Sequence, residues 1–244
     1  MLVLSLTNFS GTLPRSIGSL KMLSKIDFYQ CSFNGSIPSF SMGKNLTTTD
    51  FSFNGFTGHI TSTRWEEPLN LEVLDLTYNL LDGSIPISLF SLPSLSKLVL
   101  GKNRFFGQLN ELLNVSSCLL ETLDLSSNNL EGPIPMSIFK LQSLESLYLS
   151  WNNFNSSLQF NVIPTMRNLL YLDLSHNSLV IEYYGTNSSL FAFPQISKIN
   201  LASNKLKKFP QFLINLSTLE DLDLSNTQIH GQIPNWIWKL LWLH

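Results

Sequence analysis

The chain repeats one short pattern along nearly all of its 244 residues, and this periodicity constrains its fold more than any other feature. The segments LEVLDLTYNLLDGSIP from Leu71 and LETLDLSSNNLEGPIP from Leu120 are near copies. Successive units begin on average about 24 residues apart. Their first apolar residues are Leu23, Leu46, Leu71, Leu95, Leu120, Leu144, Leu169, Ile196, Leu219 and Leu243. So short a unit has too little core to fold alone, so we expect the units to stack as a solenoid.

Each unit predicts a short strand followed by a turn. In Leu74-Asp75-Leu76 the apolar residues recur with a period of two, so we expect the leucines to point inward and the aspartate outward. An Asn follows three residues later, and its amide can satisfy backbone groups that the turn leaves unpaired. This position holds Asn54, Asn79, Asn103, Asn128, Asn152, Asn177 and Asn204, with Thr7, Cys31 and Thr227 as exceptions that keep a hydrogen-bond donor.

The rest of each unit predicts a tight return leg. A glycine recurs where the turn needs a permissive backbone, and the Ile85-Pro86 step favours an extended path. Buried residues then recur three apart, as in Ile138, Leu141 and Leu144, which suits 3₁₀ turns. The sequence therefore predicts an α/β repeat solenoid, a right-handed superhelix with a concave parallel β-sheet and a 3₁₀ or irregular convex side. We expect one domain over residues 1–244.

The Gly-x-Ile-Pro that closes many turns makes the 24-residue unit resemble the plant-specific leucine-rich repeat of cell-surface receptors. More narrowly, INLASNKLKKFPQFLINLSTLEDLDLSNTQIHGQIPNWIWK, residues 199–239, resembles a stretch of the plant receptor-like proteins that perceive fungal pathogens. Such proteins have a secreted repeat ectodomain with paired-cysteine caps, one membrane helix and a short tail. The resemblance implies that this chain is an ectodomain segment of about ten repeats without either cap.

Composition and motifs argue against several functions. Charged residues make up 13% of the chain and the net charge is −2, with no basic stripe, so we expect no nucleic-acid partner. No dinucleotide fingerprint, P-loop, zinc-protease helix or nucleophile elbow is present. Asp173, Ser175 and His176 contain the residues of a hydrolase triad, but they lie on one strand as a variant of the repeat. We therefore expect no enzyme activity, no cofactor and no metal.

Candidate binding residues are those that break the pattern on the exposed concave face. Aspartates dominate one outward column, whose regularity indicates a scaffold role. Exposed aromatic clusters are typical of binding hot spots, although scattered surface aromatics are also ordinary. The predicted patch contains Tyr148, Trp151, Tyr171 and His176 from two adjacent turns, with Val99, Lys97 and Lys102 two turns earlier. Phe53 and Tyr78 form a second, weaker candidate group.

Cysteines and glycosylation sequons bear on the compartment. Cys31 and Cys118 lie between three and four turns apart, roughly 17 Å, so we expect no disulfide between them. Seven sequons would suit passage through the secretory pathway, although a repeat rich in Asn and Ser generates such triplets by chance. The candidate glycosylation sites are Asn8, Asn34, Asn45, Asn114, Asn155, Asn187 and Asn215.

The resemblance implies a non-catalytic ectodomain that binds an extracellular peptide, protein or glycan and signals through a membrane co-receptor in defence or development. It implies a location at the extracellular side of the plasma membrane, or a secreted protein, with membrane attachment only through a segment beyond this chain. A soluble secreted inhibitor of microbial cell-wall hydrolases, like the polygalacturonase-inhibiting proteins, remains an alternative. A membrane helix downstream in the full gene would decide between the two.

Overall fold

The computed structural model describes residues 1–40, 43–63, 69–112, 119–182 and 194–240, and it is a leucine-rich-repeat solenoid, as predicted. Its main sheet has ten parallel strands, one from each turn, and forms the concave face. With strands numbered in chain order, this sheet contains β1 (Leu2–Val3), β3 (Lys25–Asp27), β5 (Thr48–Asp50), β7 (Val73–Asp75), β9 (Lys97–Val99), β11 (Thr122–Asp124), β13 (Ser146–Tyr148), β16 (Tyr171–Asp173), β18 (Lys198–Asn200) and β19 (Asp221–Asp223).

The central residue of each three-residue main-sheet strand points into the core. Leu74, Leu98, Leu123, Leu147 and Leu172 are paired in register from strand to strand and are all buried. The flanking residues point outward, so the period of two read from the sequence is confirmed. Inward leucines from successive turns therefore form one continuous core.

A second parallel sheet, which the repeat pattern does not predict, runs along another side of the coil. Its seven strands are β2 (Ser10–Thr12), β4 (Ser32–Gly35), β6 (Gly55–His59), β8 (Leu80–Gly83), β10 (Arg104–Gln108), β12 (Asn129–Gly132) and β14 (Asn153–Phe154). A separate pair, β15 (Ser157–Gln159) and β17 (Val180–Glu182), lies further along the chain. These segments are rich in Gly, Asn and Ser, which have low strand propensity. They are strands because each pairs with the equivalent segment of the next turn.

The return legs contain 3₁₀ helices, as the spacing of three predicts. They span Arg15–Ser19, Ile60–Thr63, Ile87–Ser91, Ile138–Lys140, Phe160–Thr165 and Gln211–Asn215, and one short α-helix, α1, spans Ile237–Leu240. Ile138, Leu141 and Leu144 are all buried, which confirms the predicted inward face of this leg. Within the described part of the chain, none of the helices has both the length and the apolar character of a membrane span.

The recurrent Asn satisfies backbone groups of two turns at once. Asn128 donates from Nδ2 to the carbonyl oxygens of Leu100, Leu125 and Ser126, at 3.1 Å each. Its Oδ1 accepts the backbone N–H of Phe105 at 3.0 Å. Equivalent bonds are made by Asn54, Asn79, Asn103, Asn152, Asn177 and Asn204. The predicted role of this ladder is confirmed.

The three exceptions to the Asn ladder keep part of this pattern. Thr7 donates its hydroxyl to the carbonyl of Leu4 at 2.6 Å, and Thr227 donates to Leu224 at 2.8 Å. The free thiol of Cys31 contacts the Leu4 carbonyl at 3.1 Å. Each therefore supplies the predicted donor but lacks the amide's second function. Cys118 lies outside the described residues.

Candidate ligand-binding face

The outward aspartates of the main sheet serve the scaffold. Each accepts, through Oδ1, the backbone N–H two residues further on, for example Asp50 from Ser52 at 2.9 Å and Asp124 from Ser126 at 2.8 Å. The same bond recurs at Asp27, Asp75, Asp173 and Asp223, and the amide oxygen of Asn200 makes it in place of a carboxylate. These carboxylates are therefore turn acceptors, as their regularity predicts. Val99 and Tyr148 occupy this column without such an acceptor.

Two of the predicted contact residues differ in accessibility. Val99 is only 8% exposed, because its strand lies in register between Asp75 and Asp124, whose side chains flank it. The expectation that Val99 presents a surface to a ligand is therefore wrong. Lys97, at the start of the same strand, is exposed as expected. Its ammonium contributes to the field around Asp75.

Asp75 occupies an unfavourable position for a charge. Burial raises the pKa of its carboxyl, and the nearby Asp50 carboxylate raises it further. Hydrogen bonding from Thr77 and the charge of Lys97 oppose these effects without cancelling them. The ionised form is therefore less favourable in the folded chain than in the unfolded chain.

Substituting Asp75→Asn is expected to raise the melting temperature at neutral pH. Because the folded-state pKa is raised, the native state binds the proton more tightly, so stability falls as pH rises through the window above the usual aspartate pKa. Asn removes this cost and can still accept the Thr77 N–H, as Asn200 accepts that of Ala202. Thermal unfolding from pH 3 to 8 should show the gain at pH 7 and its loss in acid. Asp223→Asn is the control for the effect of the substitution itself. If the melting temperature of Asp75→Asn equalled that of the unaltered chain at every pH, the prediction would be contradicted.

A column of left-handed backbone borders the concave face, at the residue before each ladder Asn. We call it the rim column, and its members are Leu6, Gln30, Phe53, Tyr78, Lys102, Ser127, Trp151, His176, Ser203 and Asn226. Their φ angles lie between 49° and 59° although none is glycine. Because every turn has this conformation, whatever its side chain, it belongs to the scaffold and not to a particular site. No residue type dominates this column, so the repeat pattern does not predict the conformation.

The first half of the rim column forms an aromatic ladder. The rings of Phe53 and Tyr78 stack with centroids 4.1 Å apart, and Tyr29 meets Phe53 edge-on at 5.5 Å. The Lys102 ammonium lies 4.2 Å from the Tyr78 ring centroid and hydrogen-bonds to its hydroxyl. Phe53 and Tyr78 each remain 40% exposed. The structure therefore places Lys102 with Phe53 and Tyr78, the weaker candidate group of the sequence analysis. It also adds Tyr29 to that group.

The second half contains an aromatic stack of its own. Trp151 and His176, on consecutive turns, lie with ring centroids 3.7 Å apart and planes 13° apart. Trp151 is 58% exposed, so most of its surface is open to solvent. An exposed tryptophan held by stacking is pre-ordered for a contact, because little side-chain freedom is left to lose. The predicted pairing of these two residues is present.

Tyr148 and Tyr171 line a separate shallow cavity of about 240 Å³ on the main sheet. We call it the tyrosine pocket; its other lining residues are Leu172, Asp173, Lys198, Ile199, Asn200, Asp221 and Asp223. Lys198 and Asp221 form an ion pair at 3.7 Å, in which both side chains are more than half exposed. The carboxylates give this part of the face an acidic character. Sequence reasoning missed Lys198 and Asp221, because their column, which also holds Lys97 and Tyr171, has no dominant residue type against which they stand out.

The candidate glycosylation sites are placed on the surface where the structure describes them. Asn8, Asn34, Asn45, Asn155 and Asn215 are all exposed. Asn114 and Asn187 lie outside the described residues. Among the described residues no group of three or more His, Cys, Asp or Glu side chains is arranged to hold a metal ion. Glycan attachment at the exposed sites remains a prediction.

Comparison with known sequences identifies the repeat. The Leucine Rich Repeat family model matches residues 70–92, 119–141, 143–165 and 218–240. Receptor-like protein 49 of Arabidopsis thaliana is 47% identical over 172 residues, which are 70% of this chain and 20% of that protein. The chain thus spans about a fifth of that relative.

Solved structures agree with this assignment. The Arabidopsis receptor kinase HAESA, in complex with the peptide hormone IDA and the co-receptor SERK1, superposes with a TM-score of 0.81 and 28% identity. The match covers 94% of this chain and 38% of that one. The PEPR1–AtPEP1 structure matches with a TM-score of 0.74 and 28% identity, over 96% of this chain and 36% of that one. The repeat sequence, the two-sheet coil and these relatives place the chain in the family of plant leucine-rich-repeat receptor-like proteins.

Proposed function

We propose that this chain is part of the extracellular region of a plant cell-surface receptor and holds an extracellular peptide without covalent chemistry. The observation that carries the proposal is the exposed Trp151–His176 stack, which borders a concave sheet that also bears the tyrosine pocket. Exposed aromatic clusters of this kind are the usual energetic centres of protein and peptide interfaces. The acidic lining of the tyrosine pocket favours a ligand with basic groups nearby.

Two similar structures support a peptide as the ligand. The HAESA structure contains a peptide hormone and a co-receptor, and the PEPR1 structure is that of PEPR1–AtPEP1. We propose that the present chain likewise cooperates with a membrane co-receptor, in defence or developmental signalling at the outer side of the plasma membrane. Fold alone does not determine function, so the proposal depends on the exposed aromatic residues.

Replacing Trp151 with Ala is expected to weaken peptide binding by at least about 2 kcal/mol, roughly 30-fold in Kd. The loss arises because Trp151 provides the largest exposed aromatic surface on the rim column. The measurement is biolayer interferometry of the chain against a panel of synthetic plant secreted peptides, followed by titration of those that bind. Tyr148→Ala tests the tyrosine pocket in the same way.

Trp238→Ala is the matched control for this experiment. Trp238 is also highly exposed, at 53%, but it lies on α1 and not on the main sheet. The control should leave peptide affinity unchanged. Equal losses for Trp151→Ala and Trp238→Ala, or a panel in which nothing binds, would count against the proposed function. Binding of a microbial polygalacturonase in place of a peptide would favour the inhibitor alternative.

A further inference from the structure

The rim column contains an interruption between its two aromatic groups. Lys102, Ser127 and Trp151 occupy this column on three consecutive turns, and Ser127 has the only side chain among them too short to stack. Adjacent parallel strands lie about 4.8 Å apart, so the positions of Lys102 and Trp151 are separated by roughly 10 Å. This space matches one planar group with a normal stacking distance on each side.

The stacking geometry shows which face of Trp151 is open. His176 covers one face of the indole at 3.7 Å with nearly parallel planes, so the opposite face points along the solenoid towards the turn of Ser127. Phe53 contacts both Tyr29 and Tyr78, and Tyr78 contacts both Phe53 and Lys102. Phe53 and Tyr78 are each 40% exposed. Among the described residues Trp151 has no ring or cation partner besides His176, and it is 58% exposed.

The serine on the other side of the stack has a side-chain partner from the next turn. Ser203 follows His176 in the rim column, and the Asn226 amide donates to its hydroxyl at 3.0 Å. A serine in this column is therefore not sufficient to leave an accessible gap. The gap at Ser127 differs because a cation and an exposed indole face border it.

The approach to this gap from the concave face is lined by small residues. Gly101, Ser126 and Ser150 precede the three rim residues along the chain. A Cβ at Gly101 would lie 3.0 Å from an Asp124 carboxylate oxygen, so a larger residue does not fit there without displacing that carboxylate. An extended ligand on the main sheet can therefore direct a side chain into the gap.

We propose that the gap at Ser127 receives one aromatic side chain of the ligand, which completes the ladder between Lys102 and Trp151. This inference rests on the proposed peptide-binding function and names the residue class that the site selects. The Lys102 ammonium, already held against Tyr78, attracts the negative face of an incoming ring and repels a guanidinium. The site thus favours tyrosine, phenylalanine or tryptophan over arginine, although arginine also stacks well on indoles.

The test uses single amino-acid derivatives and NMR of the chain. N-acetyl-tyrosinamide should cause a saturable shift of the Trp151 indole N–H signal, which is assigned by its loss in Trp151→Ala. N-acetyl-argininamide and N-acetyl-leucinamide should cause no such shift. Ser127→Phe fills the gap from within the chain and should weaken tyrosinamide binding at least ten-fold, whereas Ser127→Ala should preserve it.

Several results would overturn this proposal. They are an absent shift with tyrosinamide, an equal shift with argininamide, or a shift that persists in Ser127→Phe. Phenylalanine already occupies the same left-handed backbone at Phe53, and the comparison of probes on the unaltered chain decides the question even if Ser127→Phe does not fold. Tyrosinamide binding without any peptide binding would refute only the receptor role. Peptide binding that Ser127→Phe leaves unchanged would refute only the aromatic site.

Discussion

Replacing Asn128 with Leu is expected to lower the free energy of unfolding by at least about 3 kcal/mol. Leucine fits an apolar interior, but it removes the acceptor of the Phe105 N–H and the donor to three carbonyl oxygens. The Phe105 N–H loses its acceptor, which costs about 1–3 kcal/mol. The carbonyls of Leu100, Leu125 and Ser126 keep the bonds that Asn103, Asn152 and Lys102 donate, so each loses only one hydrogen bond, worth about 0.5–1.5 kcal/mol. The measurement is the urea midpoint of unfolding, monitored by circular dichroism.

Asn128→Thr is the matched control, because the chain itself uses threonine at this position in other turns. Thr227 keeps a bond to the carbonyl three residues earlier, and Thr7 does the same. We therefore expect Asn128→Thr to retain one donated bond and to lose clearly less stability than Asn128→Leu. If Asn128→Leu were as stable as Asn128→Thr, the Asn side chain would not be needed to satisfy these backbone hydrogen bonds.

The second large effect is expected for Gly18→Ala, which should cost about 3 kcal/mol through overpacking. Gly18 lies in the 3₁₀ helix Arg15–Ser19, and a Cβ there would come within 1.8 Å of the Ser39 carbonyl oxygen on the next turn. Backbone cannot move aside as a flexible side chain can, so the first two return legs would have to separate. Urea unfolding of the whole chain measures the loss.

Gly107→Ala separates crowding from backbone strain. Gly107 has a φ of 83°, yet a Cβ there would have no atom within 4 Å, so only the left-handed conformation is penalised, by about 1–2 kcal/mol. The Gly18 variant should therefore be the less stable of the two. The reverse order would show that the return legs are not packed as closely as the structure indicates.

The repeat period predicts those parts of the fold that each turn determines by itself. The alternation in Leu74-Asp75-Leu76 predicts which side chains are inward, and the recurrence of Asn79 predicts a hydrogen-bonding ladder. Both follow from local spacing. Gly18 illustrates the limit, because the equivalent positions in later turns hold the buried aromatics Phe90 and Phe139, and only the coordinates show the Ser39 backbone there.

Features that depend on neighbouring turns could not be predicted in this way. The strands of the second sheet, such as Ser32–Gly35, have weak strand propensity and are stabilised by pairing between turns. Val99 breaks an outward column, so spacing alone predicts that it is accessible, but it lies in register between Asp75 and Asp124 and is buried. In the candidate site, the stacking of Trp151 on His176 follows from adjacent turns, whereas the gap at Ser127 requires the ring orientations.

The left-handed rim column limits how the binding preference of this protein could be altered. Valine, isoleucine, threonine and proline are poorly accommodated at positive φ, whereas asparagine, histidine, lysine and the aromatic residues occupy it in this chain. Fewer amino-acid types are therefore suitable at rim-column positions when the binding preference is changed by mutation. Libraries that randomise Ser127 or Ser203 without β-branched residues and proline should retain more folded members than unrestricted ones.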